Sequence, residues 1–256
     1  MDGTVYSVYF SPAGTTKQVT ERAAAGFPGE RRAVALLEQP LKEELRLGEN
    51  DLLVVGIPVY AGRVPAVCAE RLRKWKGSGT PAVALAVYGN RDYDDALLEL
   101  KDLLEENGFI VIGAAAFVAQ HSIFPQVGKG RPDASDLEKI DTFAAQCARK
   151  WAQGRAHWEA LAVRGNRPYK TPGAVPVKPS ANGDCNGCGA CARICPVQAI
   201  SPKNPRKTDK DNCISCAACI RVCPQHARDF RGPVYKAAAL AFYQKCAARR
   251  EPEWFI

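Results

Sequence analysis

Two short stretches decide how the C-terminal part of the chain folds. Residues 185–196 read Cys-Asn-Gly-Cys-Gly-Ala-Cys-Ala-Arg-Ile-Cys-Pro, and residues 213–224 read Cys-Ile-Ser-Cys-Ala-Ala-Cys-Ile-Arg-Val-Cys-Pro. Both have the spacing C-x2-C-x2-C-x3-C-P, and each cysteine of the second stretch lies 28 residues after its counterpart in the first. Such regularity indicates an internal duplication.

This spacing is typical of cysteine ligands to cubane iron–sulfur clusters. Three thiolates on a tight loop reach one cluster, and the fourth cysteine, before the proline, ligates the other cluster in two-cluster ferredoxins. A zinc site instead pairs two C-x2-C knuckles about 15 residues apart, and a disulfide scaffold needs an oxidising compartment. We therefore predict two [4Fe–4S] clusters. The ligands assigned to cluster one are Cys185, Cys188, Cys191 and Cys223, and those assigned to cluster two are Cys213, Cys216, Cys219 and Cys195.

The same segment closely resembles the bacterial two-cluster ferredoxins, which implies a small α+β sandwich over residues 184–232. Because the segment has little apolar core of its own, we expect its folding to depend on the clusters. It is preceded by a Pro- and Gly-rich linker at 161–183 and followed by an apolar-periodic helix within 233–256, predicted to span 234–250. The remaining residues, 1–160, form the first predicted domain.

Strand and helix patterns alternate through this first domain, which predicts a parallel, doubly wound α/β sheet of five strands in the order 2-1-3-4-5. Ligands of such sheets bind at the carboxyl ends of the strands. The predicted strands are residues 4–10, 32–37, 51–57, 82–88 and 109–119. The predicted helices are 64–76, a helix capped by Asp94 or Asp95 and ended by Asn107 and Gly108, and a helix that begins with a capping box of Ser135 and Glu138 and runs to Gly154.

Three loops follow strands of this sheet. Residues 10–17, Phe-Ser-Pro-Ala-Gly-Thr-Thr-Lys, place hydroxyls and a glycine before a helix, as an anion cradle does. The patterns G-x-x-x-x-G-K-[ST] and G-x-G-x-x-G do not occur there, which disfavours nucleoside triphosphates and dinucleotides. Residues 56–65 and 87–93 add tyrosines and glycines at strand ends. Such loops suit a flat ring with polar edges.

The three loops resemble the phosphate loop and the two ring loops of flavodoxins, over about 150 residues. The whole chain looks like the fused flavodoxin–ferredoxin proteins of anaerobic bacteria and archaea, the EFR-type ferrodoxins. The resemblance implies bound FMN, with its phosphate held by Ser11, Thr15 and Thr16. This sequence departs from the flavodoxin pattern at Ala13, where flavodoxins usually carry a threonine. The implied cofactor-binding residues are Ser11, Pro12, Ala13, Gly14, Thr15 and Thr16; Pro58, Val59, Tyr60, Ala61 and Gly62; and Tyr88, Gly89, Asn90, Arg91, Asp92 and Tyr93.

Composition limits the function classes. The chain has 256 residues, eleven cysteines and a formal net charge of +8. Eight thiolates around two clusters and a flavin phosphate would offset most of that charge, so we expect no nucleic-acid partner. No apolar run reaches the about 18 residues of a membrane span, and the N-terminus lacks the pattern of a signal peptide. Together with the cysteine content, this predicts a cytoplasmic protein.

We therefore expect an electron-transfer protein that passes single electrons between its clusters and FMN, linking a low-potential donor to a partner enzyme. The alternative is an FMN-dependent reductase of a small organic acceptor, with loop 121–132 as a lid. A third class is an iron–sulfur sensor whose flavin domain is vestigial. His121 is a candidate proton donor, with loop hydrogen bonding as the other reading. The predicted docking surface for an acidic redox partner comprises Lys203, Arg206, Lys207 and Lys210.

Overall fold

The computed structural model describes residues 3–38, 42–173 and 175–256, so Met1, Asp2, Gln39, Pro40, Leu41 and Ala174 of the predicted segments lie outside it. The strands are β1 (Thr4–Tyr9), β2 (Glu30–Ala35), β3 (Leu45–Leu47), β4 (Leu52–Pro58), β5 (Trp75–Gly77), β6 (Thr80–Tyr88), β7 (Phe109–Val118), β8 (Ser180–Ala181), β9 (Arg228–Asp229) and β10 (Glu253–Phe255). The helices are α1 (Thr15–Ala25), α2 (Ala66–Leu72), α3 (Ala96–Glu106), α4 (Ala134–Ala152), α5 (Ala190–Ile194), α6 (Ala218–Arg221) and α7 (Pro233–Cys246), with a 3-10 turn at Arg155–His157.

The N-terminal domain is a flavodoxin-like sheet between helices. Its strands lie in the order β10-β7-β6-β4-β1-β2, and the five strands β2-β1-β4-β6-β7 are parallel. Numbered along the chain, those five give the order 2-1-3-4-5, so the predicted fold is confirmed. Every residue of β4 and β6 is buried, as expected of apolar strands covered on both faces. Predicted strand bounds agree with the observed ones within two residues.

A sixth strand, β10, was not predicted. It pairs antiparallel with the edge strand β7, with Trp254 opposite Ala115. The Trp254 indole N–H donates to the side-chain oxygen of Gln146 at 3.0 Å, which ties β10 to α4. A three-residue strand at the chain end has no period to read, but it covers an edge that would otherwise expose unpaired backbone groups.

The predicted helix at 64–76 is wrong in its bounds. Helix α2 ends at Leu72, because the chain then enters β5 and pairs in parallel with β3 as a separate two-stranded sheet. Trp75, the first residue of β5, is fully buried. Burial of that large ring overrides a pattern that reads equally well as a helix.

Two predicted caps also differ, and so does the end of the last helix. Asp133, not Ser135, caps α4; its carboxylate accepts from the Asp136 N–H at 3.0 Å, and the Asp136 carboxylate accepts from the Asp133 N–H at 2.9 Å. Asp95 precedes α3 without capping it, because its carboxylate accepts from the Lys170 N–H at 2.7 Å. Helix α7 ends at Cys246 rather than at 250, before the turn that leads into β10.

The segment predicted as a linker is fastened along α3. The Asn166 N–H donates to Asp95 at 2.8 Å, and the Arg167 guanidinium binds Asp102 at 2.8 Å. Arg164 reaches Asp92 at 2.8 Å, and its guanidinium carbon lies 4.0 Å from the centre of the Tyr93 ring. These contacts fix the path of the chain as it leaves the N-terminal domain.

The C-terminal domain is small and ferredoxin-like. Helices α5 and α6 each follow the first two cysteines of one repeat and contain the third, and β8 and β9 form a short antiparallel pair. Helix α7 then returns across the N-terminal domain, where the Tyr235 hydroxyl donates to the Ile123 carbonyl at 2.9 Å. Among the helices in the described ranges, none combines the length and apolar character that crossing a bilayer requires.

Candidate functional site

Two small cavities lie in the C-terminal domain, and each brings together one predicted ligand set. The first is lined by Cys185, Cys188, Cys191 and Cys223, with Pro205 and Arg228 between them. The second is lined by Cys213, Cys216, Cys219 and Cys195. In each, three cysteines come from one repeat and the fourth from the other. All eleven cysteines of the chain are free thiols.

The polar groups around the fourth cysteines suit cluster sulfur. The Ala199 N–H donates to Cys195 Sγ at 3.2 Å, and the Ala227 N–H donates to Cys223 Sγ at 3.3 Å. These two bonds are related by the same offset as the repeats. The buried Arg228 guanidinium also lies 3.9 Å from Cys191 Sγ. Donors aimed at sulfur stabilise the thiolate charge that iron ligation requires, so the residues present fit [4Fe–4S] clusters.

The two ligand sets differ in exposure. Cys188 is exposed, whereas its counterpart Cys216 is buried; the other matched cysteines are alike, with Cys191 and Cys219 both buried. Burial raises the pKa of the Cys216 thiol to about 12 and that of Cys219 to about 11. Both thiols are therefore protonated in the absence of metal, and metal binding would release those protons.

A cleft lies over the carboxyl ends of the parallel strands, where ligands of doubly wound sheets bind. The three loops singled out in the sequence meet there. Of the predicted flavin residues, those lining the cleft are Pro12, Ala13, Thr15, Thr16, Pro58, Val59, Tyr60, Ala61, Gly62, Tyr88, Gly89, Arg91 and Asp92.

Four predicted residues lie elsewhere. The Ser11 hydroxyl accepts from the Lys17 N–H at 2.9 Å, and Gly14 takes the N-cap position of α1 with φ 99°. Asn90 is buried and donates to the carbonyl of Cys246 at 2.7 Å. Tyr93 is fully buried, packs edge-on against Tyr88, and donates from its hydroxyl to Glu253 at 2.5 Å. These four residues shape the loops without bordering the cleft.

The N-terminus of α1 presents an anion cradle to the cleft. The backbone N–H groups of Thr15 and Thr16 donate to nothing among the described residues, and the first turn of α1 contains no acidic side chain. Free N–H groups and the helix dipole favour an anion at this position. The cradle and the ring loops thus fit a phosphorylated flavin.

A cation from the C-terminal domain lies beside this cradle. Arg221 of α6 donates from Nε to the Pro12 carbonyl at 2.8 Å and pairs with Glu38 at 3.2 Å. A Cβ placed on Gly14 would be 3.9 Å from Cδ of Arg221. No local sequence pattern indicates this contact, because Pro12 and Arg221 lie 209 positions apart.

The cleft is covered from the C-terminal side. Ile214 and Ser215, between two cysteines of the second repeat, line it together with Val175 and with Phe242 of α7. Ile214 also lines the second cysteine cavity. Burial, together with the neighbouring thiols of Cys216 and Cys68, raises the pKa of Tyr60 well above its ordinary value. One wall therefore separates the cleft from the predicted cluster two.

His121 lines the cleft as a neutral ring. Its Nδ1 accepts from the N–H groups of Ile123 and Phe124, both at 3.1 Å, so the ring proton lies on Nε2. Burial, with the nearby Arg91, lowers the pKa of His121 to about 4. The ring lies against Gly89, where an added Cβ would be 2.5 Å from His121 Cδ2. Loop hydrogen bonding therefore occupies one of its two nitrogens.

Comparison with known families bears on the C-terminal part. Residues 184–227 match the family described as the 4Fe-4S dicluster domain. The C-terminal domain is an iron–sulfur domain. A search of curated proteins gave no match.

Several solved structures are similar in part. A flavodoxin from the domain Archaea is 17% identical, covering 57% of this chain and 97% of its own, with a TM-score of 0.41. An NADH:FMN oxidoreductase (EMOB, apo form) is 16% identical over 61% of this chain and 94% of its own, with a TM-score of 0.44. A Streptococcus pneumoniae flavodoxin is 15% identical over 58% and 99%, with a TM-score of 0.39. The fold assignment rests on the strand order described above.

Proposed function

We propose that the protein transfers single electrons between two [4Fe–4S] clusters and FMN, linking a low-potential donor to a partner redox enzyme. The observation that carries this proposal is the shared wall: Ile214 borders both the cleft and the cavity of cluster two. FMN exchanges one or two electrons and each cluster exchanges one, so together they convert between the two kinds of chemistry. The order that follows is cluster one, cluster two, FMN.

The proposed phosphate site uses groups from both domains. The free N–H groups and hydroxyls of Thr15 and Thr16 would bind the phosphate oxygens, and the guanidinium of Arg221 adds positive charge nearby. Arg221 precedes Cys223 by two residues and follows Cys219 by two, so the same helix would serve a cluster and the flavin phosphate.

Ala13→Thr is expected to tighten FMN binding. Ala13 is exposed at the cleft, and a hydroxyl there supplies a hydrogen bond to a charged oxygen that the chain now lacks. A bond of that kind contributes about 1.5–3 kcal/mol, or roughly 10- to 150-fold in Kd. Titration of the flavin-free protein with FMN measures the Kd of each variant. Ala13→Val, which has the same shape without the hydroxyl, is the control, and equal affinities for the two variants would contradict the prediction.

The function is tested by anaerobic purification with iron, sulfide and flavin analysis, followed by photoreduction of the clusters. We expect iron and sulfide for two cubanes, one FMN per chain, and flavin bleaching that follows cluster reduction. Ile214→Asp, which places a charge in the shared wall, should slow that bleaching, whereas Ile200→Ala should not, because Ile200 lines the cavity of cluster two but not the cleft. Zinc in place of iron would end the proposal, and protein that holds both clusters but never retains flavin would end it in favour of the sensor.

A second candidate, an FMN-dependent reductase of a small organic molecule, is favoured by the cover over the cleft. The ring centres of Phe124 and Phe242 are 4.8 Å apart, and the ring centres of Phe242 and His121 are also 4.8 Å apart. This aromatic cover limits access of a partner protein to the ring and leaves room for a small acceptor. Saturable oxidation of the reduced protein by a small acceptor, with no oxidation by protein acceptors, would favour the reductase over the carrier.

A further inference from the structure

The two repeats are alike in sequence but face different surroundings. Ile214 and Ser215 of the second repeat correspond to Asn186 and Gly187 of the first. Ser215 is buried and Ile214 lines the cleft, whereas Asn186 and Gly187 are both exposed. The second repeat therefore meets the N-terminal domain, and the matching surface of the first repeat meets solvent.

The backbone shows the same difference. Gly187 has φ 79° and its counterpart Ser215 has φ 56°, a conformation that a residue with a side chain adopts at a cost. The Ser215 hydroxyl offsets part of that cost by donating to the Val177 carbonyl at 2.8 Å. The first repeat keeps glycine at this position and has no such contact to make.

The arginines at matched positions of the two repeats also have different surroundings. Arg221 lies on the N-terminal domain, bound to the Pro12 carbonyl and to Glu38. Its counterpart Arg193 is exposed, donates to the Cys188 carbonyl at 3.0 Å, and has no carboxylate partner in the described ranges. An acidic partner is thus present for one repeat and absent for the other.

Further unpaired cations surround cluster one. Pro205 lines its cavity, and the flanking Lys203, Arg206 and Lys207 are exposed and form no ion pair with the described residues. Arg206 donates to the Cys185 carbonyl at 2.6 Å, which holds its charge against the cluster loop. The acid next to this loop, Asp184, accepts from the Asn182 side chain at 2.7 Å. The surface formed by Arg193, Lys203, Arg206 and Lys207 is hereafter the basic surface.

We propose that cluster one is the electron port of the molecule and that the basic surface docks an acidic one-electron redox protein. That partner would lie against the first repeat as the N-terminal domain lies against the second. Each encounter would move one electron from the partner's redox centre to cluster one. The partner's centre would lose that electron and cluster one would gain it, with no proton or group transferred. Opposite charges steer such encounters and raise their rate. The inference rests on the proposed function.

The test uses a reduced, acidic two-cluster ferredoxin as the donor, with stopped-flow detection of cluster reduction in the intact holoprotein. Lys203→Glu/Lys207→Glu reverses two exposed charges whose side chains form no hydrogen bond or ion pair with the described residues. We expect the second-order rate to fall by about tenfold or more and the wild-type rate to decrease with salt. Lys236→Glu/Lys245→Glu on α7 makes the same charge change outside the basic surface and should leave the rate near wild type.

Equal losses of rate in the two double variants would overturn the docking site, because they would reflect net charge alone. An unchanged rate in both double variants would overturn it as well. Photoreduction by a neutral deazaflavin needs no docking and should be equal in all three proteins, which checks that the clusters are intact. If cluster reduction responds to the variants but FMN never bleaches, the port stands and the cluster-to-flavin proposal fails. If FMN bleaches normally and the variants behave like wild type, the cluster-to-flavin proposal stands and the electron port fails.

Discussion

Cys216→Ser is expected to leave cluster one in place and to cut FMN off from external one-electron donors. Cys216 is buried between the cluster-two cavity and the cleft, where it lies near Tyr60. Without cluster two, the remaining cluster would lie in the cavity of the first repeat, which shares no lining residue with the cleft, and no cofactor would lie between it and the flavin. Ferredoxin-driven bleaching of FMN should fall to background, while the electron paramagnetic resonance signal of cluster one persists.

The matched variants are Cys188→Ser and Cys223→Ser, which should both remove cluster one although they belong to different repeats. Cys246→Ser is the control, because this buried cysteine of α7 lies outside both cavities. If Cys223→Ser and Cys188→Ser abolished different signals, the crossed assignment of the fourth cysteines would be wrong. If Cys216→Ser still allowed rapid bleaching, electrons would have to reach FMN by another route.

The sequence carries the parts of this architecture that local chemistry determines. Continuous apolar stretches such as 52–58 favour strands covered on both faces, and their alternation with helices predicts the parallel sheet. The cysteine spacing predicts ligand sets before any contact is known. The loops 10–17 and 56–65 were found because they follow strands at the edge where such sheets bind ligands.

What the sequence could not supply depends on residues far apart in the chain. Nothing local indicates that Arg221 reaches Pro12, that Ile214 forms the wall between cleft and cluster cavity, or that Phe242 covers the cleft. Asn90 and Tyr93 were assigned to the flavin because their loop is, but their side chains bind the C-terminal segment. Loop membership predicts a neighbourhood, whereas the direction of a side chain follows from the partner that packs on it.

Arg131→Leu is expected to be the most destabilising single change outside the cysteines. The Arg131 side chain is 5% exposed and that of its partner Asp136 is 2% exposed. Arg131 donates from Nε to Asp136 at 2.8 Å, and from Nη1 to the Arg250 carbonyl at 2.6 Å and to Asn90 at 3.3 Å. It therefore joins the start of α4, the loop that follows β6 and the segment before β10.

Removing one member of a buried ion pair leaves the other charge without compensation, which costs about 3–5 kcal/mol. Arg249, at 3.2 Å from Asp136 and 41% exposed, retains part of the compensation, so we expect the lower end of that range. Thermal unfolding of the holoprotein and hydrogen exchange in β10 should both register the change. Arg22→Leu breaks an exposed pair with Asp141 and should cost less than about 1 kcal/mol.

The double variant Arg131→Leu/Asp136→Asn separates the charge effect from lost packing. Asparagine keeps an oxygen that can accept from the Asp133 N–H at the start of α4, while it removes the buried negative charge. The double variant should therefore be more stable than Arg131→Leu alone, because no unpaired charge remains in the interior. A double variant less stable than the single one would mean that the Asp136 carboxylate stabilises the protein even without Arg131, through Arg249 and the Asp133 N–H. The bonds of Arg131 to the Arg250 carbonyl and Asn90 are lost in both variants, so early exchange of β10 should be common to the two.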